Sequence, residues 1–377
     1  MVDLKERLSA AAVEQGFVLV GFASLRPLDR GRFFSDWLAG GRHGEMSYLA
    51  LEPQRRLDPR FLDPRLRSVI SLGYPYQAPP RPSRVSWREE LRGRVAAYAL
   101  GEDYHRYVLA KARRVGEVLN ALRPRALTRA YVDTGPVFER EWALKASIGW
   151  IGKNTNLLNR RYGSYFFLAE IFTDVDFGAD SPPYGAHCGR CRQCLELCPT
   201  GALEGSYVMD ARLCISYLTI ELRGPIPLPL RTKLGNWIFG CDICQEVCPW
   251  NSEAQSQPDE RLTPYLPELL ALDQAQFSKR FSRSAIKRAK RRGLLRNAAV
   301  ALGNSGNPRA VAPLAACLER EPEPLVRAHA AWALGHLGGG VSRRTLERRR
   351  KSEPDPTVAN EIALALARGS APECEAV

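Results

Sequence analysis

The chain has 377 residues, with 54 Lys and Arg against 41 Asp and Glu, and a formal net charge of +13. This length is ample for two or three domains, and the charge favours a polyanionic partner, nucleic acid before a membrane surface. The composition excludes a collagen, a coiled coil and a wholly disordered chain. No apolar run is long enough to span a bilayer, and the charged start lacks the apolar stretch of a secretory signal. We therefore expect a cytoplasmic protein with no membrane partner.

Short apolar runs alternate with a helical stretch over residues 1–175, which predicts a mixed α/β domain. Strands are predicted over 17–23, 68–74, 129–132 and 165–172, and a helix over 137–147. The third strand ends just before Asp133, and open α/β sheets bind their ligands past strand ends. We therefore expect a ligand site near Asp133.

The cysteines carry the strongest pattern in the sequence. Eight of the ten fall between Cys188 and Cys248, and such clustering in a long chain without an export signal indicates a metal site. The run C-x2-C-x2-C-x3-C-P that begins at Cys188 is the bacterial ferredoxin pattern, in which three thiolates hold one [4Fe-4S] cluster and the fourth serves another. A second run, over 241–248, is one cysteine short, and Cys214 can supply the missing ligand.

This pattern predicts a ferredoxin-like domain over 176–255 with two [4Fe-4S] clusters. The predicted ligands are Cys188, Cys191, Cys194 and Cys248 on one cluster, and Cys198, Cys214, Cys241 and Cys244 on the other. A pair of zinc sites is the alternative, but zinc ribbons use two separated CxxC pairs. Two clusters in one small domain indicate electron transfer. Cys317 is expected to be a small buried hydrophobe, and Cys374 lies in the tail.

An alanine-rich segment recurs every 32 residues near the end of the chain. LLRNAAVALG over 294–303 is followed by VRAHAAWALG over 326–335 and VANEIALAL over 358–366. A fixed period with Ala and Leu in register predicts a helical, HEAT-like solenoid over 260–370. The alternative is one helical bundle with chance similarity.

Several motifs, in order along nearly the whole chain, resemble those of the epoxyqueuosine reductases. They are MSYL at 46–49, GEDYH at 101–105, YVDTGP at 131–136, GWIGKNT at 149–155, the two cysteine runs and the HEAT-like tail. The resemblance implies a cobalamin-dependent oxidoreductase that reduces epoxyqueuosine to queuosine at the wobble position of tRNA. Its partners would be the tRNA anticodon stem-loop and an external electron donor, and a monomer is the default expectation.

The resemblance also implies roles for particular residues. Asp133 matches the proposed proton donor of the family and would face the cobalamin, as would Arg56. The glycine-rich turn with Lys153, Asn154 and Thr155 could hold polar groups of that cofactor through its amides. The alternatives are that Asp133 caps the following helix, that Arg56 is a surface arginine, and that the turn is an ordinary loop.

Nine cations and no acidic residue fall within the 18 positions 279–296, and a second basic group occupies 343–351. A solvated surface would normally mix both signs of charge, so this pattern favours contacts with phosphates. The residues predicted to bind nucleic acid are Lys287, Arg288, Lys290, Arg291 and Arg292.

Two other functions are compatible with parts of the sequence. A reductive dehalogenase-like enzyme acting on a small molecule would share the cobalamin and the clusters, but the basic tail and absent export signal argue against it. A ferredoxin-type electron carrier tethered to nucleic acid would use the clusters and the tail and bind no corrinoid in residues 1–175. Corrinoid uptake and activity on tRNA separate the three functions.

Overall fold

A computed structural model of the protein describes residues 2–28, 30–77, 86–178, 182, 184–252 and 260–368. The chain divides into two units. The first comprises residues 1–78, 102–212 and 242–256, and the second comprises residues 79–101, 213–241 and 257–377. No helix in the described ranges is both long and apolar enough to cross a membrane.

The strands of the described residues are short, and most belong to the first unit. In chain order they are β1 (Leu19–Ser24), β2 (Ser68–Pro75), β3 (Arg94–Val95), β4 (Thr128–Tyr131), β5 (Trp150–Ile151), β6 (Leu157–Leu158), β7 (Phe166–Thr173), β8 (Leu203–Gly205), β9 (Val208–Met209) and β10 (Trp237–Phe239). Only β3 and β10 lie in the second unit, where they pair in parallel.

The α-helices of the described residues concentrate in the second unit. They are α1 (Val2–Glu14), α2 (Gly31–Ala39), α3 (Pro53–Leu57), α4 (Trp87–Glu90), α5 (Tyr104–Leu122), α6 (Glu139–Lys145), α7 (Gln193–Glu196), α8 (Ile215–Ile220), α9 (Leu228–Arg231), α10 (Ile243–Glu246), α11 (Leu266–Leu270), α12 (Gln274–Arg280), α13 (Lys290–Asn304), α14 (Val311–Arg320), α15 (Pro324–Leu337), α16 (Gly339–Arg350) and α17 (Pro356–Arg368). Short 3-10 turns occur at Ser47–Leu49, Pro59–Phe61, Ala97–Ala99, Ala211–Leu213, Thr232–Leu234, Pro249–Asn251, Glu260–Leu262, Ala285–Ala289 and Pro308–Ala310.

The core of the first unit is a four-stranded sheet in the order β1-β2-β7-β4. The predicted strands and the predicted helix are confirmed as β1, β2, β4, β7 and α6. Every pairing in this sheet is antiparallel, with Ile70 opposite Ile171 at its centre. The first six residues of β2 are all buried, as expected of a strand covered on both faces. Asp133 lies just past the end of β4, as predicted, in the loop that joins β4 to α6. Because the sheet is antiparallel, the rule for open parallel sheets gives no support to a ligand site there, and that site stays a prediction.

The second unit contains the predicted HEAT-like repeats. Helices α13, α15 and α17 carry the three repeated segments and pack in succession, with α14 and α16 between them. A Cβ placed on Gly303 would lie 2.9 Å from the Cβ of Ala333, and one on Gly335 would lie 2.6 Å from the Cβ of Ala365. Glycine recurs at this repeat position because neighbouring helices approach too closely for any side chain.

Buried polar side chains of the repeats bind the segment 213–241 into the second unit. Arg296 is fully buried and donates to three backbone carbonyls of this segment, and Asn297 donates to two more. His329 accepts a hydrogen bond from a backbone N–H of the same segment. Buried polar groups need such partners, so these contacts fix the segment to the helices. The boundaries predicted around 176–255 stay a prediction, and the residues within them are divided between the two units.

Candidate functional site

Four of the predicted cluster ligands, Cys188, Cys191, Cys194 and Cys248, lie in the first unit. Cys248 is buried against Trp150, and Cys188 packs on the same cluster of side chains. Burial raises the pKa of Cys248, and the three other thiols of the set contribute to that increase. Burial, followed by Cys188 and Cys191, also raises the pKa of Cys194. Thiols crowded in this way can ionise together only beside a compensating metal charge, so the donor set fits an iron–sulfur cluster.

A zinc site at these thiols would need three or more donor side chains placed around one ion. The described residues contain no group of three or more His, Cys, Asp or Glu side chains that could hold a single metal ion. Zinc requires such convergence, with sulfur atoms about 2.3 Å from one ion. A [4Fe-4S] cluster presents four iron atoms to four thiolates, and so does not need the sulfur atoms to meet at one point.

The other cysteines are distributed over both units. Cys198 and Cys244 lie in the first unit, and Cys214 and Cys241 lie in the second. Cys317 is buried in α14, where burial raises its pKa to about 12, as expected for a small hydrophobe. Cys374 lies outside the described residues.

The hairpin of β5 and β6 holds a tight turn from Gly152 to Asn156, which we call the Lys153 turn. Nζ of Lys153 donates to the carbonyl oxygens of Gly189 and Cys191, at 2.8 Å in both cases. Nδ2 of Asn154 donates to the carbonyl oxygen of Cys244 at 3.1 Å. The turn therefore contacts both cysteine runs within the first unit. These bonds are made by the side chains of Lys153 and Asn154, so the role we expect for the backbone amides of the turn, holding cobalamin, stays a prediction.

Asp133 is held in a strained conformation with its carboxyl accessible. Its φ is +54°, in the left-handed region, and 60% of its side chain is exposed. Its backbone N–H donates to Oε1 of Glu139 at 2.5 Å, and its Oδ2 lies 2.9 Å from Nε2 of His105. Helix α6 begins at Glu139 with Phe138 as its N-cap, so the geometry does not support the helix-capping alternative for Asp133.

Two titratable groups next to Asp133 have shifted pKa values. Desolvation, followed by repulsion from Asp133, raises the pKa of Glu139 to about 8. Burial lowers the pKa of His105, but hydrogen bonds to Asp133 and Asp103 outweigh it, and the net shift is upward. Glu139 therefore holds a proton next to Asp133 at neutral pH, and His105 keeps its proton to higher pH than a free histidine, as expected of a site for acid catalysis.

Arg56 lies beside the same loop. Its Nη1 donates to the carbonyl of Gly135 at 3.3 Å and its Nη2 to that of Tyr48 at 3.4 Å. Its Nε is buried and has no hydrogen-bond partner in the described part of the chain. Burial lowers the pKa of Arg56, and Tyr48, Asp133 and Glu139 oppose this shift. A buried N–H donor without a partner is unusual, and it fits a site that receives a polar ligand.

Thr155 is linked to the region of Asp133 by a hydrogen bond from a side chain of α6. Nη1 of Arg140 donates to the carbonyl of Thr155 at 2.5 Å and lies 3.3 Å from its hydroxyl. The partners of Asp133 and Thr155, Glu139 and Arg140, are adjacent residues. Sequence reasoning missed both of them, as it did the bond from His105 to Asp133. The signal available was the spacing of Glu139 six residues after Asp133.

The predicted nucleic-acid contacts fall into two groups. Lys287, Lys290 and Arg292 are exposed, and none of the three forms an ion pair with a described residue. Arg288 is exposed but binds the carboxylate of Glu221. Arg291 is different, because both of its Nη atoms bind the Glu321 carboxylate, at 2.8 and 2.5 Å, and only 11% of its side chain is exposed. Its donors are therefore occupied within the protein.

Three protein families match parts of the chain. A family of 4Fe-4S double cluster binding domains matches residues 187–251, and a family of HEAT repeats matches residues 283–367. Residues 56–134 match the family described as "Epoxyqueuosine reductase QueG, DUF1730". Fold and site together define an iron–sulfur oxidoreductase with a HEAT-repeat region.

Curated relatives and solved structures identify the family. Epoxyqueuosine reductase from Pseudomonas aeruginosa is 42% identical over 335 residues, which cover 86% of this chain and 92% of that protein. The Escherichia coli K12 enzyme is 38% identical over 344 residues, covering 88% and 89%. The chain belongs to the epoxyqueuosine reductase family.

Two solved structures of that enzyme have nearly the same fold. A structure with an epoxyqueuosine-modified tRNA-Tyr stem loop gives a TM-score of 0.91 at 31% identity, covering 98% of this chain and 100% of that chain. The Bacillus subtilis enzyme, with its catalytic aspartate loop swung out of the active site, gives 0.89 at 30% identity, covering 97% and 99%.

Proposed function

We propose that this protein reduces epoxyqueuosine in tRNA to queuosine, with electrons that pass through two [4Fe-4S] clusters to cobalamin and a proton from Asp133. Family membership and the match to a double-cluster domain support the reaction and the electron path. The single observation that carries the assignment of the acid is the exposed Asp133 carboxyl, bonded to His105 and surrounded by proton-holding groups. The proposed domains are catalytic over 1–175, cluster-binding over 176–255 and tRNA-binding over 260–370.

Cobalamin is proposed to lie on the side of the first unit where Asp133 is exposed. When bound, it supplies a reducible cobalt centre that can attack or reduce an epoxide. Arg56, with its unpartnered Nε, Asp133 and Thr155 are proposed to face it. Lys153 and Asn154 are proposed to contribute their backbone amides, while their side chains bind carbonyls of the cysteine runs.

Asp133 is proposed to protonate the oxygen released when the epoxide opens. Cleavage of a carbon–oxygen bond leaves a strongly basic alkoxide, which needs a positioned acid nearby. The Glu139 carboxyl anchors the Asp133 backbone, and His105 orients the Asp133 carboxyl. In the Bacillus subtilis relative the loop described as catalytic is also named by an aspartate, which supports this role.

The tRNA is proposed to bind the basic surface of the HEAT-like region, defined as Lys287, Arg288, Lys290 and Arg292. A relative solved with a tRNA stem loop supports RNA as the partner. Exposed cations in a cluster follow a phosphate backbone by shape and charge, and the modified base would be drawn out of its stack. Arg291 is not part of this surface, because its Nη atoms bind the carboxylate of Glu321. We further propose that the protein works in the cytoplasm as a monomer and receives electrons from an external donor.

The test is anaerobic reconstitution with iron, sulfide and cobalamin, followed by an assay of epoxyqueuosine loss in tRNA. Wild-type protein is expected to form queuosine, whereas Asp133→Asn is expected to lose at least a hundredfold in kcat with unchanged cluster content and tRNA affinity, since general acids typically contribute 10²–10⁴-fold. Failure to take up corrinoid would indicate an electron carrier. Turnover of a halogenated aromatic, with none of tRNA, would indicate a dehalogenase-like enzyme.

A further inference from the structure

The Lys153 turn is the part of the hairpin that contacts both cysteine runs. Its backbone is closed by hydrogen bonds from the Gly152 N–H to the Asn156 carbonyl at 2.8 Å and from the Thr155 N–H to the Gly152 carbonyl at 2.9 Å. The Asn154 side chain is 4% exposed and its Oδ1 accepts from the Asn156 N–H at 3.2 Å. The turn is therefore rigid, and it fixes the side chains that it directs at the cysteines.

Lys153 brings an uncompensated positive charge to the first run. Its Nζ is held by two carbonyls, one of them that of Cys191 itself. Among the described residues Lys153 has no carboxylate partner, and the side chain is half-buried. An ammonium group paired with a carboxylate would have little net field, whereas the charge of Lys153 is not offset by a carboxylate and lies at the backbone of Cys191, a predicted cluster ligand.

Asn156 acts on the second run through a different contact. Its Nδ2 lies 3.8 Å from Sγ of Cys244 and donates a hydrogen bond to that sulfur. Hydrogen bonds to the sulfur atoms and nearby charge are two of the levers by which a protein sets the reduction potential of a [4Fe-4S] cluster. Reduction adds one negative charge to the cluster, so a cation or an N–H donor stabilises the reduced form more than the oxidised form.

We propose that the Lys153 turn sets the reduction potentials of both clusters, Lys153 through its charge on the cluster of Cys188, Cys191, Cys194 and Cys248, and Asn156 through its bond to Cys244 on the other. The inference depends on the proposed assignment of cysteines to the two clusters. It does not depend on cobalamin, tRNA or the acid role of Asp133. Lys153 and Asn156 are thus positioning residues for electron transfer.

The experiment is a redox titration of the anaerobically reconstituted full-length protein, without cobalamin or tRNA, followed by electron paramagnetic resonance of the reduced clusters. Lys153→Met is expected to lower one midpoint potential by about 59 mV, which is a tenfold change for a one-electron couple, and to leave the other midpoint unchanged. Lys153→Arg keeps the charge and is expected to restore the wild-type value. Asn156→Ala is expected to lower the other midpoint by a smaller amount.

Iron and sulfide analysis accompanies every titration, because Lys153→Met also removes two hydrogen bonds. If that variant binds less iron, Lys153→Gln supplies N–H donors without charge and is expected to show the same lowered midpoint. Wild-type midpoints in both Met and Gln variants with full iron content would overturn the proposal, as would an equal fall in Lys153→Arg. A wild-type protein that holds fewer than two clusters would overturn the cluster assignment itself, and absent turnover on tRNA would leave these potentials unaffected.

Discussion

Nε2 of His105 lies 2.9 Å from Oδ2 of Asp133, so the imidazole and the proposed acid share a hydrogen bond. The other ring nitrogen of His105 lies 2.5 Å from Oδ1 of Asp103. His105 is thus placed between two carboxyl groups, which hold its proton to higher pH than that of a free histidine. The histidine orients the Asp133 carboxyl and keeps a second proton beside it.

Replacing His105 with Gln is expected to lower kcat by tenfold or more with little change in KM. The reason is that the variant loses the imidazole that orients the Asp133 carboxyl and holds a proton beside it. Because the pKa of His105 is raised, the imidazole keeps its proton to higher pH than a free histidine and loses it as the pH rises through that pKa. We therefore expect the wild-type kcat to fall at alkaline pH. The alkaline part of the pH profile of kcat is expected to differ in the variant. Identical pH profiles for the two proteins would contradict this role.

Replacing Glu139 with Gln is expected to leave kcat within about twofold of wild type at pH 7. The pKa of Glu139 is raised to about 8, so the carboxyl is mostly neutral at pH 7 and a neutral amide resembles it. Glu139→Ala removes the acceptor of the Asp133 backbone N–H and is expected to lower kcat about tenfold. The measurement is single-turnover queuosine formation from pH 6 to 9. Equal losses in both variants at pH 7 would show that Glu139 acts as a charged group.

Removing the positive charges of Lys287, Lys290 and Arg292 is expected to weaken tRNA binding and its dependence on salt. Each cation that contacts a phosphate contributes about 0.7 to 0.9 to the slope of log K against log salt. The triple Gln variant is therefore expected to lose about two units of slope, measured by filter binding at several salt concentrations. Arg291→Met is the control, expected to lower thermal stability by breaking its pair with Glu321 while leaving the slope unchanged. An unchanged slope in the triple variant would place the tRNA elsewhere.

The stability of the second unit is expected to fall as the pH drops below about 6.5, because of His329. Nε2 of this fully buried histidine accepts from the Ile226 N–H at 3.1 Å, so it must stay unprotonated. Burial, then Arg231 and Arg296, lowers its pKa well below that in an unfolded chain. The unfolded state therefore takes up a proton that the folded state does not, at about 1.4 kcal/mol per pH unit.

Urea unfolding of wild type and His329→Gln from pH 5 to 8 measures this effect. The variant is expected to have a lower free energy of unfolding than wild type at pH 8. As the pH falls below about 6.5, its free energy of unfolding is expected to decrease less steeply than that of wild type, because this histidine is absent. A wild-type stability that does not change between pH 5 and 7 would contradict the assignment.

Regular periodicity made much of the fold predictable. The apolar runs became β1, β2, β4 and β7, and the 32-residue period located α13, α15 and α17. The antiparallel direction of the sheet could not be read from the sequence, because a buried strand is uniformly apolar in either arrangement. The sequence also did not reveal that residues 213–241 belong to the second unit, because this placement depends on buried polar contacts of Arg296, Asn297 and His329.

The site was predictable where spacing alone defines the chemistry. The cysteine runs indicate iron–sulfur ligation because ligand spacing is local in sequence. The destination of the Lys153 and Asn154 side chains was not predictable, because their partners at Gly189, Cys191 and Cys244 are 36 to 90 residues away. Arg291 shows the same limit: it looks like its basic neighbours in sequence, and only the fold pairs it with Glu321.

The close contacts of glycines between successive repeats restrict how the HEAT-like region can change in length. Gly303 fits against Ala333, and Gly335 fits against Ala365, each pair offset by the same 32 positions. A duplication or excision of 32 codons would bring another glycine opposite another alanine, whereas any other number would force a methyl group or larger into a space for one hydrogen atom. Growth of this repeat region by whole 32-residue units is therefore the route that its packing permits.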